Sequence, residues 1–555
     1  MKKINIKITA TLTLFVLICF SCTKLDNLDT KPLSRLTTEE FYNNPKNVEN
    51  AQSLLIPALR SFGNGEQVRI NNSAGGEIVN LFSGESDGNI NYMKDAYLHI
   101  FDGKKHDARY NRMWNTYYNG ITEANLILFE LASITTKSKN IRKVNADIKV
   151  ARAFFFLHAM DSFGNIPLDT LFGADPNTIK TNSRAEVFAF IEKELKENIP
   201  FLDLKTAPNN RINKYVGFTL LAQLYLGAQV YTGTARWADV IPACDSIMRG
   251  PYSLTPNYFD NFAADNALNE NILVSVRDET GTNTSTFIPE NVGGNGSNGS
   301  GSEAIGITGR AWNAFVSTAE MYDIYDNNDL RKNMWLVGPQ RKSIAESEKA
   351  INGVTNTGDA LLVNVRGVAN PYSYAKQPAH WGFVRVTPAN PLPLELQQLA
   401  GIRNVKYYPR KGLVLERNQF GNDYVIMRLA DVILMKAEAL MRIGNAAGAK
   451  VELERVRARA YRIGANSTVL NPTLKDIRDE RTRELMWENY SRRDNIRFQV
   501  AEPSTDYWSK ARPPLKPNAD VGPIGPGRFN NMIYPIPLSQ FLLFPTLTQN
   551  PGYDR

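Results

Sequence analysis

The sequence predicts a mainly α-helical protein, a scaffold of antiparallel helical hairpins carrying a loop-rich face with minor β-structure. Three observations lead there. Long blocks with apolar residues at helical spacing lie towards both ends of the 555-residue chain. Two pairs of those blocks are alike, and between the helical halves the composition shifts to Gly, Asn, Ser and Pro.

Taken in chain order, Arg112 to Leu131 places Ile121, Ala124, Leu128 and Leu131 on one helical face, and Val150, Phe154 and Leu157 repeat the pattern. Ser183-Arg-Ala-Glu186 is a capping box with the stripe Phe188, Ile191, Leu195 behind it. Asn213 to Tyr231 (Val216, Leu220, Leu224) and Trp237 to Met248 (Val240, Ile241, Cys244) form a first pair. Tyr424 to Ile443 and Ala446 to Tyr461 form a second, followed by Leu474 to Tyr490. Within them, Leu221-Ala-Gln-Leu-Tyr-Leu-Gly and Ala437-Glu-Ala-Leu-Met-Arg-Ile-Gly each precede a short turn and a second helix. Such pairs resemble tetratricopeptide units, which bury their apolar stripes by stacking. Trp114 and Trp237 sit in helical patterns and are expected in the core, as is Cys244. The chain is Pro-rich from Gln499 to Pro526, and Met532 to Asp554 reads as extended.

The loop-rich part includes Gly293-Gly-Asn-Gly-Ser-Asn-Gly-Ser-Gly-Ser302, which is costly to order. Residues 336–422 carry Pro, Gly and Asn punctuation around the β-prone runs Leu361-Leu-Val-Asn-Val and Phe383-Val-Arg-Val. Long loops inside a folded protein are more often functional than idle.

The first 22 residues set the compartment. Lys2, Lys3 and Lys7 precede an apolar run from Ile8 to Phe20, then Ser21 and Cys22, a secretory leader. The run is shorter than the ~20 residues a spanning helix needs. A Cys after the small residue resembles a lipoprotein-processing box, so Cys22 is the expected acceptor of diacylglycerol and palmitate-type acyl chains. Several chains on one residue anchor durably, at ~0.8 kcal/mol per buried CH₂. Residues 23–35 are polar and turn-rich, as a tether should be. The expected organisation is a signal peptide over 1–21, a lipidated tether over 22–35 and an N-terminal helical part over 36–270. A loop-rich insertion over 271–422 and a C-terminal part over 423–555 complete it.

Formal charge is +8, or 8 − 3 = +5 without the three leader lysines, and no basic run accompanies it. Nucleic acid is not the expected partner. Three Cys cannot build a disulfide framework, and the four His residues stand at no metal-ligand spacing. No cofactor or metal is expected.

The blocks resemble, in this order, the SusD/RagB family of outer-membrane nutrient-binding lipoproteins. The resemblance spans nearly the whole chain. It rests on Tyr110-Asn-Arg-Met-Trp114, Tyr118-Asn-Gly-Ile-Thr-Glu-Ala-Asn125, Ala151-Arg-Ala-Phe-Phe-Phe-Leu and Phe163-Gly-Asn-Ile-Pro-Leu168. Ala222-Gln-Leu-Tyr-Leu226, the Tyr424–Ala439 block, Glu480-Arg-Thr-Arg-Glu-Leu-Met-Trp-Glu488, Tyr534-Pro-Ile-Pro537 and Asn550-Pro-Gly-Tyr553 continue it. Where the family commonly shows Glu-Gly-x-Arg, this chain has Glu488-Asn-Tyr-Ser491 with Arg492 one place late. The Glu480 block is expected to form structural ion pairs on a helix, with Arg481 and Glu484 at i, i+3. The resemblance implies a helical scaffold with a loop-rich ligand face, surface exposure on the outer membrane, and a partner: a TonB-dependent, SusC-like β-barrel transporter. Most relatives capture glycans and a minority are associated with peptides, so an oligosaccharide or peptide ligand is implied.

A sugar ring stacks its C–H face on an aromatic ring, and a few polar side chains then read its hydroxyls. Aromatics in polar loops are therefore the candidates. Tyr92 lies near Asp87 and Asn91; Trp312 lies beside Arg310; Tyr372 and Trp381 share a Pro-flanked loop. The expectation is binding without transformation. A glycosidase is the first rival, since paired carboxylates need no short motif; yet metalloprotease, nucleophile-elbow and phosphate-loop signatures are all missing. A helical module that binds only another protein is the second.

Overall fold

The stripe ending at Leu131 and the one beginning near Val150 belong to two long helices. The computed structural model describes residues 38–42, 44–78, 91–97, 99–133, 140–204, 211–263, 270–275, 319–336, 403–407, 422–501 and 533–554, with positions 266, 315 and 317 besides. Helices α1 (Ile56–Asn64), α2 (Glu66–Ala74) and α3 (Asn91–Tyr97) lead into α4 (Asp107–Ser133) and α5 (Ile141–Phe163). The last two pack along each other, closely enough that a Cβ on Gly120 would meet the Phe155 ring at 2.4 Å. Trp114 is buried between them and stacks on Tyr118 at 4.3 Å.

A short antiparallel pair, β1 (Ile166–Pro167) with β2 (Thr181–Asn182), precedes α6 (Arg184–Asn198). The capping box at its start is formed as expected, Ser183 Oγ accepting from the Glu186 N–H and Glu186 from the Ser183 N–H. Such caps contribute ~1 kcal/mol. Then come α7 (Lys214–Leu226) and α8 (Trp237–Met248), and downstream α9 (Leu429–Arg442) and α10 (Ala446–Ala460). α7 packs on α8, α8 on α9 and α9 on α10, so the two look-alike pairs stack as consecutive hairpins. Cys244 is fully buried between them. Trp237, expected in the core, is only partly buried at its edge.

Three boundaries differ from expectation. Tyr424 to Ile443 is not one helix: β6 (Tyr424–Arg428) pairs antiparallel with β3 (Asn271–Ser275), and α9 begins at Leu429. The β-branched, aromatic run Tyr-Val-Ile finds a partner strand, which outweighs its helical spacing. Between β3 and β6 in the chain, β4 (Trp335–Leu336) pairs with β5 (Arg403–Asn404). Second, Leu474 to Tyr490 is broken: α11 (Leu474–Glu484) ends, Trp487 and Asn489 take left-handed φ of 63° and 71°, and α12 (Ser491–Ala501) restarts. Third, the tail contains α13 (Leu538–Leu543).

That tail closes the molecule. Tyr534 N–H donates to Ser162 O at 2.8 Å and its hydroxyl to Asn71 Oδ1 at 2.8 Å. Asn550 accepts from Asn165 N–H at 3.3 Å and donates to Phe163 O. Gly164 between them has φ 74°, a conformation few other residues adopt without strain. Phe163-Gly-Asn, Tyr534-Pro and Asn550-Pro are thus one contact set. Among the described residues no helix is long and apolar enough to cross a membrane.

Candidate ligand-binding face

The residues that flank the loop-rich segments are gathered at one place. Ser275 pairs with Tyr424 at the open end of β3 and β6. Trp487 N–H donates to Glu77 Oε2 at 2.8 Å, and its indole Nε1–H reaches Glu77 O and Ser317 Oγ, each at 3.2 Å. Phe315 stands edge-on to the same indole at 6.0 Å. Tyr407 stacks on Tyr424 at 5.9 Å, and Val405 N–H donates to Met334 O at 2.7 Å. Glu77, Ser275, Phe315, Trp335, Asn404, Tyr407 and Tyr424 border the segments 79–90, 276–314, 337–402 and 408–421. The left-handed turn at Trp487 is the hub for Glu77, Phe315 and Ser317, and Lys406, from the strip 403–407, reaches the same turn at Met486 O.

Beneath the hub lies a buried ionic network. Arg428 Nη1 is 2.8 Å from Glu270 and 2.6 Å from Glu484, and its Nε is 2.7 Å from Glu488. Arg331 reaches Asp329 at 2.7 Å, Glu480 at 2.7 Å and Glu484 at 2.6 Å. Arg459 bridges Glu270 and Glu484; Lys406 pairs with Glu488 and donates to Met486 O at 2.7 Å. Arg457 and Arg483 both hold Glu480 at 2.8 Å. Six cations therefore face five carboxylates; the carboxylates are fully buried, and the cations range from fully buried to 14% exposed at Arg483. Buried charge survives only when paired and hydrogen-bonded in this way.

The titration pattern follows. Burial alone would raise Glu484, but Arg459, Arg428 and Arg331 together hold it far below the usual carboxylate range. Burial likewise opposes ionisation of Glu480, yet Arg331, Arg483 and Arg457 pull it down to about 2. Glu77 goes the other way: burial pushes it up to about 8 against the Trp487 N–H bond. Lys406 is pushed down to about 8 by burial, against Glu488. Carboxylates locked under guanidinium groups cannot deliver a proton to a glycosidic oxygen, so this cluster is a brace. Among the described residues no group of three or more His, Cys, Asp or Glu is placed to hold a metal ion.

The expected ion pair of Arg481 with Glu484 is not made. Arg481 turns to Asp431 at 2.8 Å and Asp494 at 2.7 Å, because Glu484 points into the network instead. The Glu480 block is structural as expected, but through long-range partners and with Glu488 beyond the helix end.

Of the candidate ligand residues, Tyr92 requires correction. It lies in α3 rather than a loop, 4% exposed, with the Arg109 guanidinium 4.5 Å above its ring. A ring buried against a cation and the core offers no stacking face to a sugar. Asn91 opens the same helix. Asp87, Arg310, Trp312, Tyr372, Trp381 and the lipidation candidate Cys22 lie outside the described residues. Glu77, Arg331, Lys406 and the left-handed Trp487 carried no recognisable signal in the sequence. Arg428 had a signal, a lone cation inside the apolar run Tyr-Val-Ile-Met-Arg-Leu; the left-handed turn had none.

Comparison with known proteins agrees with this architecture. A model described as the SusD family matches residues 269–553, and one described as "Starch-binding associating with outer membrane" matches residues 26–226. The starch-binding protein SusD of Bacteroides thetaiotaomicron is 26% identical over 459 residues, 78% of this chain and 76% of that protein. A laminarin-binding SusD-like protein superposes with a TM-score of 0.67 at 21% identity, covering 92% of this chain and 99% of its own. The surface glycan-binding protein A of Bacteroides thetaiotaomicron, in complex with laminarihexaose, gives 0.63 at 18% identity, covering 90% and 99%. The SusD match alone spans just over half the sequence, and the chain belongs to the SusD/RagB family.

Proposed function

We propose that the chain is a surface glycan-binding protein that captures its ligand on the loop-rich face and does not cleave it. The observation that carries the reading is the meeting of Glu77, Phe315, Ser317 and Lys406, which lie beside loop-rich segments, at the Trp487 turn, braced by the buried ionic network. Ligand-holding loops need a rigid base, because ordering them on binding costs affinity. Relatives named for starch, laminarin and laminarihexaose support a glycan over a peptide. On this reading Trp312, Trp381 and Tyr372 supply stacking faces, and Asp87, Asn91 and Arg310 supply hydrogen bonds to hydroxyls. Cys22 carries the acyl anchor in the outer membrane, residues 23–35 are the tether, and bound glycan passes to a TonB-dependent, SusC-like transporter.

The test is a glycan array probed with the chain starting at Thr23, followed by titration of the strongest ligand into Trp312→Ala, Tyr372→Ala and Trp381→Ala. Each stacked ring contributes ~0.5–1.5 kcal/mol beyond its buried area, so a roughly 3- to 10-fold loss per true contact is expected at unchanged melting temperature. Undiminished affinity in all three variants removes these rings from the site. Release of shorter sugars from the bound glycan contradicts the non-catalytic reading.

A further inference from the structure

A small cavity lies under the hub, lined by Phe62, His158, Gln223, Tyr424, Ile426, Met427 and the turn Glu488–Tyr490 with Arg493. Its size is room for about one water molecule. Three buried polar atoms on different elements belong to its lining residues: Nε2 of His158 from α5, the hydroxyl of Tyr424 from β6, and Oδ1 of Asn489 from the left-handed turn. Each is sealed from bulk solvent, and none has a hydrogen-bond partner among the described residues. An unsatisfied buried donor or acceptor costs ~1–3 kcal/mol. Three such atoms on residues that line one cavity are the pattern a shared partner would satisfy.

We infer that this cavity is a specific site for a single structural water, bonded by His158, Tyr424 and Asn489. The Tyr424 hydroxyl and the imidazole can each donate or accept, and the Asn489 carbonyl oxygen accepts, which matches the two-donor, two-acceptor valence of water. The imidazole is neutral, since burial and then Arg493 push its pKa down to about 3, so no charged guest is needed to balance it. The Asn489 N–H already donates to Asn72 Oδ1 at 3.0 Å. The water adds a second tie, through the side chain, and fastens the left-handed residue at the base of the ligand face to α5 and β6.

The experiment is a high-resolution crystal structure of the chain starting at Thr23, with a second crystal soaked in bromide. The expected result is one density peak within hydrogen-bond distance of all three atoms, without anomalous signal from bromide. A pocket closed by direct bonds among the three side chains overturns the inference, as does bromide occupancy, which makes the guest an anion. Oxygen-17 relaxation dispersion gives a solution readout. The double variant His158→Phe/Tyr424→Phe should lose one long-lived internal water relative to the parent chain, and an equal count in both proteins contradicts the assignment.

Discussion

Replacing Arg428 by Met tests the brace most sharply. The side chain is fully buried, and its guanidinium serves Glu270, Glu484 and Glu488 at 2.6–2.8 Å. Met preserves the aliphatic volume and removes the charge. Breaking a buried ion pair costs ~3–5 kcal/mol, because the abandoned charge stays buried. Here each carboxylate keeps another cation: Glu270 has Arg459, Glu484 has Arg331 and Arg459, and Glu488 has Lys406. The lower end, ~3 kcal/mol, is therefore expected. Urea unfolding of the chain from Thr23 at pH 7 measures it. The pH dependence adds a signature. Arg428 helps depress Glu484 below its ordinary 4.5, so that part of the stabilisation is present above pH 4.5 and is lost as pH falls. The gap between parent and variant should narrow as pH drops below 4.5. A loss under ~1 kcal/mol, the worth of an exposed pair, or a gap that widens in acid, refutes the argument that these charges brace the floor.

Other variants probe separate links. Glu77, raised by burial from 4.5 to about 8, has the opposite sign: its contribution is complete below 4.5 and is lost as pH rises through 8. Glu77→Gln keeps an acceptor for Trp487 N–H, so its stability relative to the parent should improve steadily between pH 5 and 8, read as melting temperature at each pH. Gly120→Ala drives a methyl into the Phe155 ring and should cost ~1–3 kcal/mol in chemical unfolding. Tyr92→Ala should lower stability by ~3 kcal/mol, as a core truncation does, with glycan affinity of the folded fraction unchanged. Cys22→Ser should abolish incorporation of labelled palmitate and release the chain from membranes.

The hairpins were legible because their apolar stripes repeat at helical spacing and end at local signals, such as the Ser183 capping box, that need no tertiary context. Boundaries failed where a distant partner decided the outcome. Tyr424–Arg428 carries both strand and helix character, and only the presence of Asn271–Ser275 beside it settles the matter. The break after Glu484 was hidden for a related reason: Trp487 and Asn489 are held left-handed by Glu77 and Asn72, more than 400 positions away, with no Gly to announce the turn. At the candidate site, residue type in a polar stretch pointed to Tyr92, but exposure depends on packing, and Arg109 from α4 covers that ring. The Glu480 block revealed its structural character through its charge density; its partners were not legible, because Arg331, Lys406 and Arg428 come from three separated segments.

Hydrogen–deuterium exchange with and without saturating glycan shows where the ligand is held. Bound ligand should protect segments 79–90, 276–314, 337–402 and 408–421 together with the turn at Trp487. Helices α8 and α10 should exchange as before. Protection concentrated on α8 and α10, with those four segments unchanged, would contradict a ligand face built on the Glu77–Trp487 hub.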